Sequence, residues 1–401
     1  MDKFFQELGA TVLERWKKEN FSLEKFPSIA TAALEAKPPA KHVDLTTLVR
    51  EFLLIDDQPF QTHSGFGQPE LVAYNHERFY IQILFWLDGT TDIHQHEFSG
   101  AFHVMAGSSI HADFAFEKEQ AVTAHFRVGN IVMKNIELLE TGRTLPIVSG
   151  RGCIHSLFHL DTPSVTVVVR TQNDPGTSPQ FNFLPPHIAF DPVFSDPLTM
   201  RRKQLLEVLE LNEAEDYFEV TSKMIAELDF ERGFFILQHA RGYLTNLGAW
   251  ASVLEIFEKK HGKLAKGVAG TLEEGVRRDA IKDLRGAVVE PEHRFFLALL
   301  LNVGTKKDLF ALVKKRFPKA APSETILRWV QELSQETEFG TAMLDAHFPW
   351  PPTMGSEEHG QILMTVLRYF LTGGKKPPVS IRELKELEGI FSASSLGLLV
   401  E

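Results

Sequence analysis

Over the first 55 residues the apolar positions recur at helical spacing. Phe4, Phe5, Leu8, Val12, Leu13 and Trp16 fall on one side of a helix, and Leu45–Leu54 predicts a second. The proline-bearing stretch 36–42 between them cannot be helical throughout. From about residue 70 to 172 the pattern changes to short runs rich in Val, Ile and Phe: Phe79–Trp86, 100–107, 121–129, 130–139 and Ser164–Thr171. Turn residues at Asp88-Gly89, Gly107-Ser108 and Gly129-Asn130 punctuate them, which predicts an all-β sandwich or barrel. The stretch 165–169 is almost wholly apolar, as in a strand covered on both faces. Residues 173–197 are rich in proline but also carry aromatic side chains, which suits a strap packed along the barrel. Helical spacing then returns. Leu205, Leu206, Leu209 and Leu211 line one segment, one or two helices are expected in 234–257, and others in 294–303, 307–317, 324–333 and 360–371. No fixed repeat period emerges. The expected class is α+β: a helical segment over 1–55, an antiparallel, jelly-roll-like β-barrel over 56–197, and an all-α domain over 198–401.

Composition narrows the function classes. A chain of 401 residues is too long for one ordinary core. With 42 basic against 53 acidic residues the net charge is −11, which argues against a nucleic-acid partner. The basic clusters at 277–278 and 314–316 read as solvated helix faces. The single cysteine, Cys153, rules out an intrachain disulfide and is compatible with a reducing compartment. The N-terminal twenty residues lack the apolar stretch and cleavage site of a signal peptide. The apolar run 295–301 is far too short to span a bilayer, so a cytoplasmic protein without membrane contact is expected.

The candidate chemistry lies in the β region. His94 and His96 are two apart in a strand-like segment, so their imidazoles project from the same face. His155 follows the glycine-rich turn Ser149-Gly150-Arg151-Gly152 on another strand. Three histidines on neighbouring strands suggest a mononuclear metal site, although an isolated HxH pair is more often two ordinary histidines. His159, four residues beyond His155, is a candidate base beside the metal ligands or an alternative ligand, and equally a surface or core histidine. Cys153 shares the face of His155 if the segment is extended; it could be a ligand or an oxidation target, or simply a small buried residue. Glu97 should point away from His96, and His103 should face away from Gly100. His111 and His125 have only their residue type in their favour. Residues 62–70 form a loop at the barrel mouth.

At this point the chain resembles the cupin superfamily. Gly89, His94, His96 and Gly107 match its first motif, with Gly100 at the usual glutamate-ligand position; Gly150 and His155 match its second, with His159 where asparagine is usual. The lead-in RFYIQILFWLDG and the segment HLDTPSVTV are similar to the cysteine dioxygenase (thiol dioxygenase) branch. That resemblance implies a cupin-type barrel with His94, His96 and His155 holding Fe(II), without a carboxylate ligand. A neutral ligand set leaves the metal its full positive charge and open positions, which suits a substrate that binds as an anion beside dioxygen. The branch carries serine, histidine and tyrosine on the strand after the third ligand, whereas this chain carries Thr166, Val168 and Arg170. Its upstream carboxylate-binding arginine has no counterpart either, so Arg170 or Arg78 would have to hold an anion.

Two classes of function follow. One is an Fe(II) oxygenase acting with O2 on a small-molecule or carrier-bound substrate, with Phe102 and Val104 as pocket walls and His159, Arg170 and Cys153 around the metal. Zn, Mn, Ni or Cu in an isomerase or hydrolase is the variant within that class. The other is a ligand-binding or regulatory module without catalysis. In either, the helical domain could mediate a homodimer or contact a protein partner.

Overall fold

Every residue of the strand Phe79–Trp86 is buried, because both of its faces are covered by different layers. Phe79, Ile81, Ile83 and Phe85 turn toward the N-terminal helices, while Leu84 and Trp86 turn into the space between two sheets. The structure is a computed structural model and describes residues 2–54, 56, 59–62, 66–87, 89–336 and 356–400. Asp88, half of one expected turn, and residues 63–65 of the mouth loop lie outside the described residues.

The helices α1 (Asp2–Lys18), α2 (Phe26–Ala36), α3 (Pro39–His42) and α4 (Leu45–Leu54) form the first layer. Phe5, Leu8, Val12 and Trp16 of α1 are buried against Phe26, Ala30 and Leu34 of α2 and the outer face of the sheet. That sheet has the order β1 (Glu70–His76), β2 (Phe79–Trp86), β9 (Ser164–Thr171), β4 (Gly100–Ala106), β7 (Thr144–Ile147). The remaining strands close into an antiparallel ring: β3 (Ile93–His96), β8 (Gly150–His159), β5 (Ser108–Ala121), β6 (Phe126–Glu140), β11 (Ile188–Phe190) and β10 (Asn182–Leu184). The expected α+β class holds, with an antiparallel barrel between N-terminal helices and a helical C-terminal region.

Two local expectations change. Gly129-Asn130 is not a turn, since β6 runs through it for 15 residues. A Cβ at Gly129 would press on the Phe116 ring and the Glu117 carbonyl, so this glycine serves close packing across the ladder. The proline-rich strap also does more than pack along the barrel. Between its prolines it supplies β10, which pairs with β3, and β11, which pairs with β6, and these two short strands complete the ring.

The helical half runs from α5 (Pro197–Leu211) and α6 (Tyr217–Glu227) through α7 (Phe230–Asn246), α8 (Trp250–His261) and α9 (Val268–Ala287). It continues with α10 (Pro291–Asn302), α11 (Lys306–Arg316), α12 (Pro322–Glu336), α13 (Ser356–Thr372) and α14 (Ile381–Ala393). The run 295–301 in α10 is wholly buried and packs with Ile110, Leu138 and Phe158 of the ring and with Leu160 just past β8. Polar contacts join the same layers: Lys282 of α9 pairs with Asp92 at 2.8 Å, and Arg285 donates to the His159 carbonyl at 2.8 Å. No described helix is long and apolar enough to cross a membrane.

Candidate metal centre

Strand register assembles the site. In the β3–β8 ladder His94 lies opposite His155, and an irregularity between Gln95 and His96 sets His96 opposite Gly150. The three imidazoles therefore share one face, turned into the space between the sheets, and are all but fully buried at 3–4% exposure. One ligand atom from each lies within 4.8 Å of the others, so the set could hold a metal ion. The next residues along the same strands, Ile93 and Ile154, face the opposite way into an apolar cluster with Phe181 and Phe183.

The nitrogens are arranged as donors to a cation. His94 Nδ1 lies 2.8 Å from the Asp92 carbonyl oxygen, to which it donates; this leaves the lone pair on Nε2, an atom that is buried with no hydrogen-bond partner. His96 Nε2 and His155 Nε2 are 2.9 Å apart. Burial, followed by the neighbouring charges of His94 and Arg170 for His96, and of the other histidines for His155, holds both well below the ordinary imidazole range. His94 is lowered too, again chiefly by burial. Neutral, closely spaced imidazoles with an orphaned lone pair are the donor set that Fe(II) or another borderline divalent ion accepts. Gly100 explains why no carboxylate joins them: a Cβ there would run into the Val169 carbonyl oxygen, so the adjacent strand excludes any side chain.

The remaining candidates are distributed unevenly. Phe102 and Val104 belong to the cluster between the sheets, with the Phe102 ring 6.1 Å from His155. Arg170 lays its guanidinium over Phe98 at 3.5 Å, and that ring lies 4.6 Å from His96. Its Nε donates to the Thr171 carbonyl at 3.3 Å; among the described residues it forms no ion pair within 4 Å, although Glu70, Glu97 and Asp174 lie near enough to act on its charge. Arg78 is not brought to the site. It sits in the turn between β1 and β2, half exposed, with its guanidinium 4.5 Å from the Phe21 ring and its Nε 3.6 Å from Glu77. That turn lies against the N-terminal helices, which corrects its expected substrate-binding place.

His159 does not join the triad. It stacks on Trp86 at 4.5 Å, its Nδ1 is 2.9 Å from Ser109 Oγ, and burial pushes it down to about 3. Cys153, half-buried, packs beside the same cluster, and burial pushes its thiol up to about 12. Glu97 points outward to the Gln180 amide and Asn173, and His103 bonds Thr144 on the outer face of β4. His111, by contrast, was not singled out by the sequence, yet its Nε2 is 3.0 Å from His155 Nδ1. The missing signal was long-range: β5 pairs with β8 so that Asp113 lies opposite His155 and His111 opposite Leu157.

A cleft of about 400 Å³ opens beside His94, lined by Phe66, Trp86, Thr91, His94, Gln180 and Asn182 among others. The Phe66 ring stands 5.7 Å from His94 and 5.2 Å from Trp86 at this mouth.

No family model matches the chain, and no curated protein matches its sequence. Among solved structures it is similar to hydroquinone 1,2-dioxygenase from Sphingomonas sp. TTNP3 with 4-hydroxybenzoate bound. The identity is 13%, the match covers 30% of this chain and 81% of that one, and the TM-score is 0.21. A superposition this loose decides neither fold nor chemistry.

Proposed function

We propose that the barrel is a metal-dependent oxygenase site, with Fe(II) as the resident ion and His94, His96 and His155 as its ligands. The observation that carries this reading is the buried, neutral imidazole triad with an orphaned His94 Nε2 beside an open cleft. When bound, the metal would supply open positions and Lewis acidity toward an anionic substrate and O2. The chain's own residues do the rest. Trp86, Phe102, Val104 and Val168 keep the chamber dry, which strengthens every charge interaction in it. Arg170, a desolvated guanidinium on Phe98 with no carboxylate in direct ion-pair contact among the described residues, holds the anionic end of a small or carrier-bound substrate. Phe66 and His94 mark the side by which it enters.

Anaerobic loading with Fe(II), followed by O2 uptake against a panel of small thiols and carboxylic acids, tests the reading. Uptake that depends on one of these anions and is abolished in His96→Ala is expected. Metal retention with no anion-dependent uptake across the panel would leave a metal-binding module and defeat the oxygenase.

A further inference from the structure

His155 Nδ1 does not end the hydrogen-bonded chain. It lies 3.0 Å from Nε2 of His111, a residue that is 3% exposed. His111 Nδ1, on the far side of that ring, is buried without a hydrogen-bond partner and faces Glu137 Oε1 at 3.9 Å. Glu137 is itself held by Arg143, whose Nη2 is 3.3 Å from its other oxygen. Asp113 Oδ1 stands 3.4 Å from His111 Nε2 and adds a second negative charge beside the shared proton.

Tautomer bookkeeping gives the arrangement a direction. If His155 Nε2 is to present a lone pair to a metal, its single ring proton must sit on Nδ1. That N–H then donates to His111 Nε2, which must be a lone pair, and the His111 proton is displaced to Nδ1, toward Glu137. Each imidazole in the row is thereby fixed in one tautomer, with the Glu137 carboxylate at the outer end and Asp113 beside the shared proton. Negative charge along this row favours the partial positive charge that His155 acquires on giving electrons to a cation, and makes it a stronger ligand. We propose that His111, backed by Glu137 and Asp113, is a positioning residue that sets the tautomer and donor strength of His155 from the side opposite the metal. The proposal rests on the triad's being a metal site. His94 has a different anchor, the Asp92 carbonyl, so the two ligands are tuned by chemically distinct partners.

The test uses the full chain with Zn(II) in chelator competition and Co(II) as an absorption probe, comparing wild type with His111→Phe, His111→Gln, Glu137→Gln and Asp113→Asn. Melting of each metal-free form controls for folding. His111→Phe should weaken Zn(II) about 10- to 100-fold and shift the Co(II) bands. His111→Gln, whose amide oxygen can accept from His155 Nδ1–H, should recover most of that affinity. Glu137→Gln and Asp113→Asn should each produce a smaller loss, and they keep the test open if His111→Phe does not fold. Unchanged affinity and spectrum in His111→Phe would overturn the inference while leaving the metal site intact. Two ions per chain in wild type, the second lost in His111→Phe with the first unaffected, would also overturn it, making His111, Asp113 and Glu137 ligands of their own ion. A wild type that binds neither ion would instead defeat the underlying metal-site reading.

Discussion

The strands β3 and β8 have two faces, and neighbouring residues of one sequence build opposite environments on them. Ile93 and Ile154 face a cluster with Phe181, Phe183 and Ala189. The buried polar group on that side, Gln95, is fully engaged: its amide nitrogen donates to Ser178 and the Pro179 carbonyl, and its oxygen accepts from Arg151. One residue away, His94, His96 and His155 face a chamber in which His94 Nε2, His111 Nδ1, His159 Nε2 and Gln82 Oε1 all lack partners. Buried polar groups are ordinarily satisfied, and orphans each cost on the order of 1–3 kcal/mol. The first face follows the rule for structure. The second breaks it repeatedly in one place, as expected of a surface shaped for something that is not protein.

The contrast can be broken from either side. The largest effect is expected on the histidine face: His155→Ala should abolish metal retention while the metal-free protein still melts cooperatively, measured by metal analysis beside calorimetry. On the apolar face the outcomes should be reversed. Phe183→Ala should cost about 3–5 kcal/mol in denaturant unfolding, yet leave the metal content of the folded fraction unchanged.

Acid should act on the histidines held neutral by burial. His103 is pushed down to about 4 and His159 to about 3, against an ordinary 6.5. Between those values and 6.5 the unfolded chain binds more protons than the folded one, so stability falls as the pH falls. At pH 5 each should have removed on the order of 2 kcal/mol relative to neutral pH. His103→Gln, which can keep the Thr144 contact, should flatten part of that slope between pH 6.5 and 5 in a urea series. The smallest effect is expected at Cys153, which packs half-buried against the chamber's apolar cluster: Cys153→Ala should cost about 1 kcal/mol and leave the metal-binding constant unchanged.

The sequence made half of this contrast visible. Strand parity put His94 and His96 on one face, and the glycine-rich lead-in marked His155, because those relations need only local spacing. The burial of 165–169 on both faces could be read from its apolar run for the same reason. What stayed hidden depends on pairing between distant segments. His111 reaches His155 only through the β5–β8 ladder. Proline disguised the closing strands β10 and β11, which are only three residues each. Arg78 looked available to the chamber because its position next to β2 says nothing of the turn that carries it over Phe21. Gly100 was legible as a missing ligand, but its cause, the Val169 carbonyl, belongs to a strand some seventy residues away.

Metal stoichiometry is the most direct measurement of the central claim. The chain, loaded anaerobically with Fe(II) and desalted, should retain about one ion per molecule, and His96→Ala with matched circular dichroism and melting should retain none. Wild type that keeps no more metal than His96→Ala would contradict it.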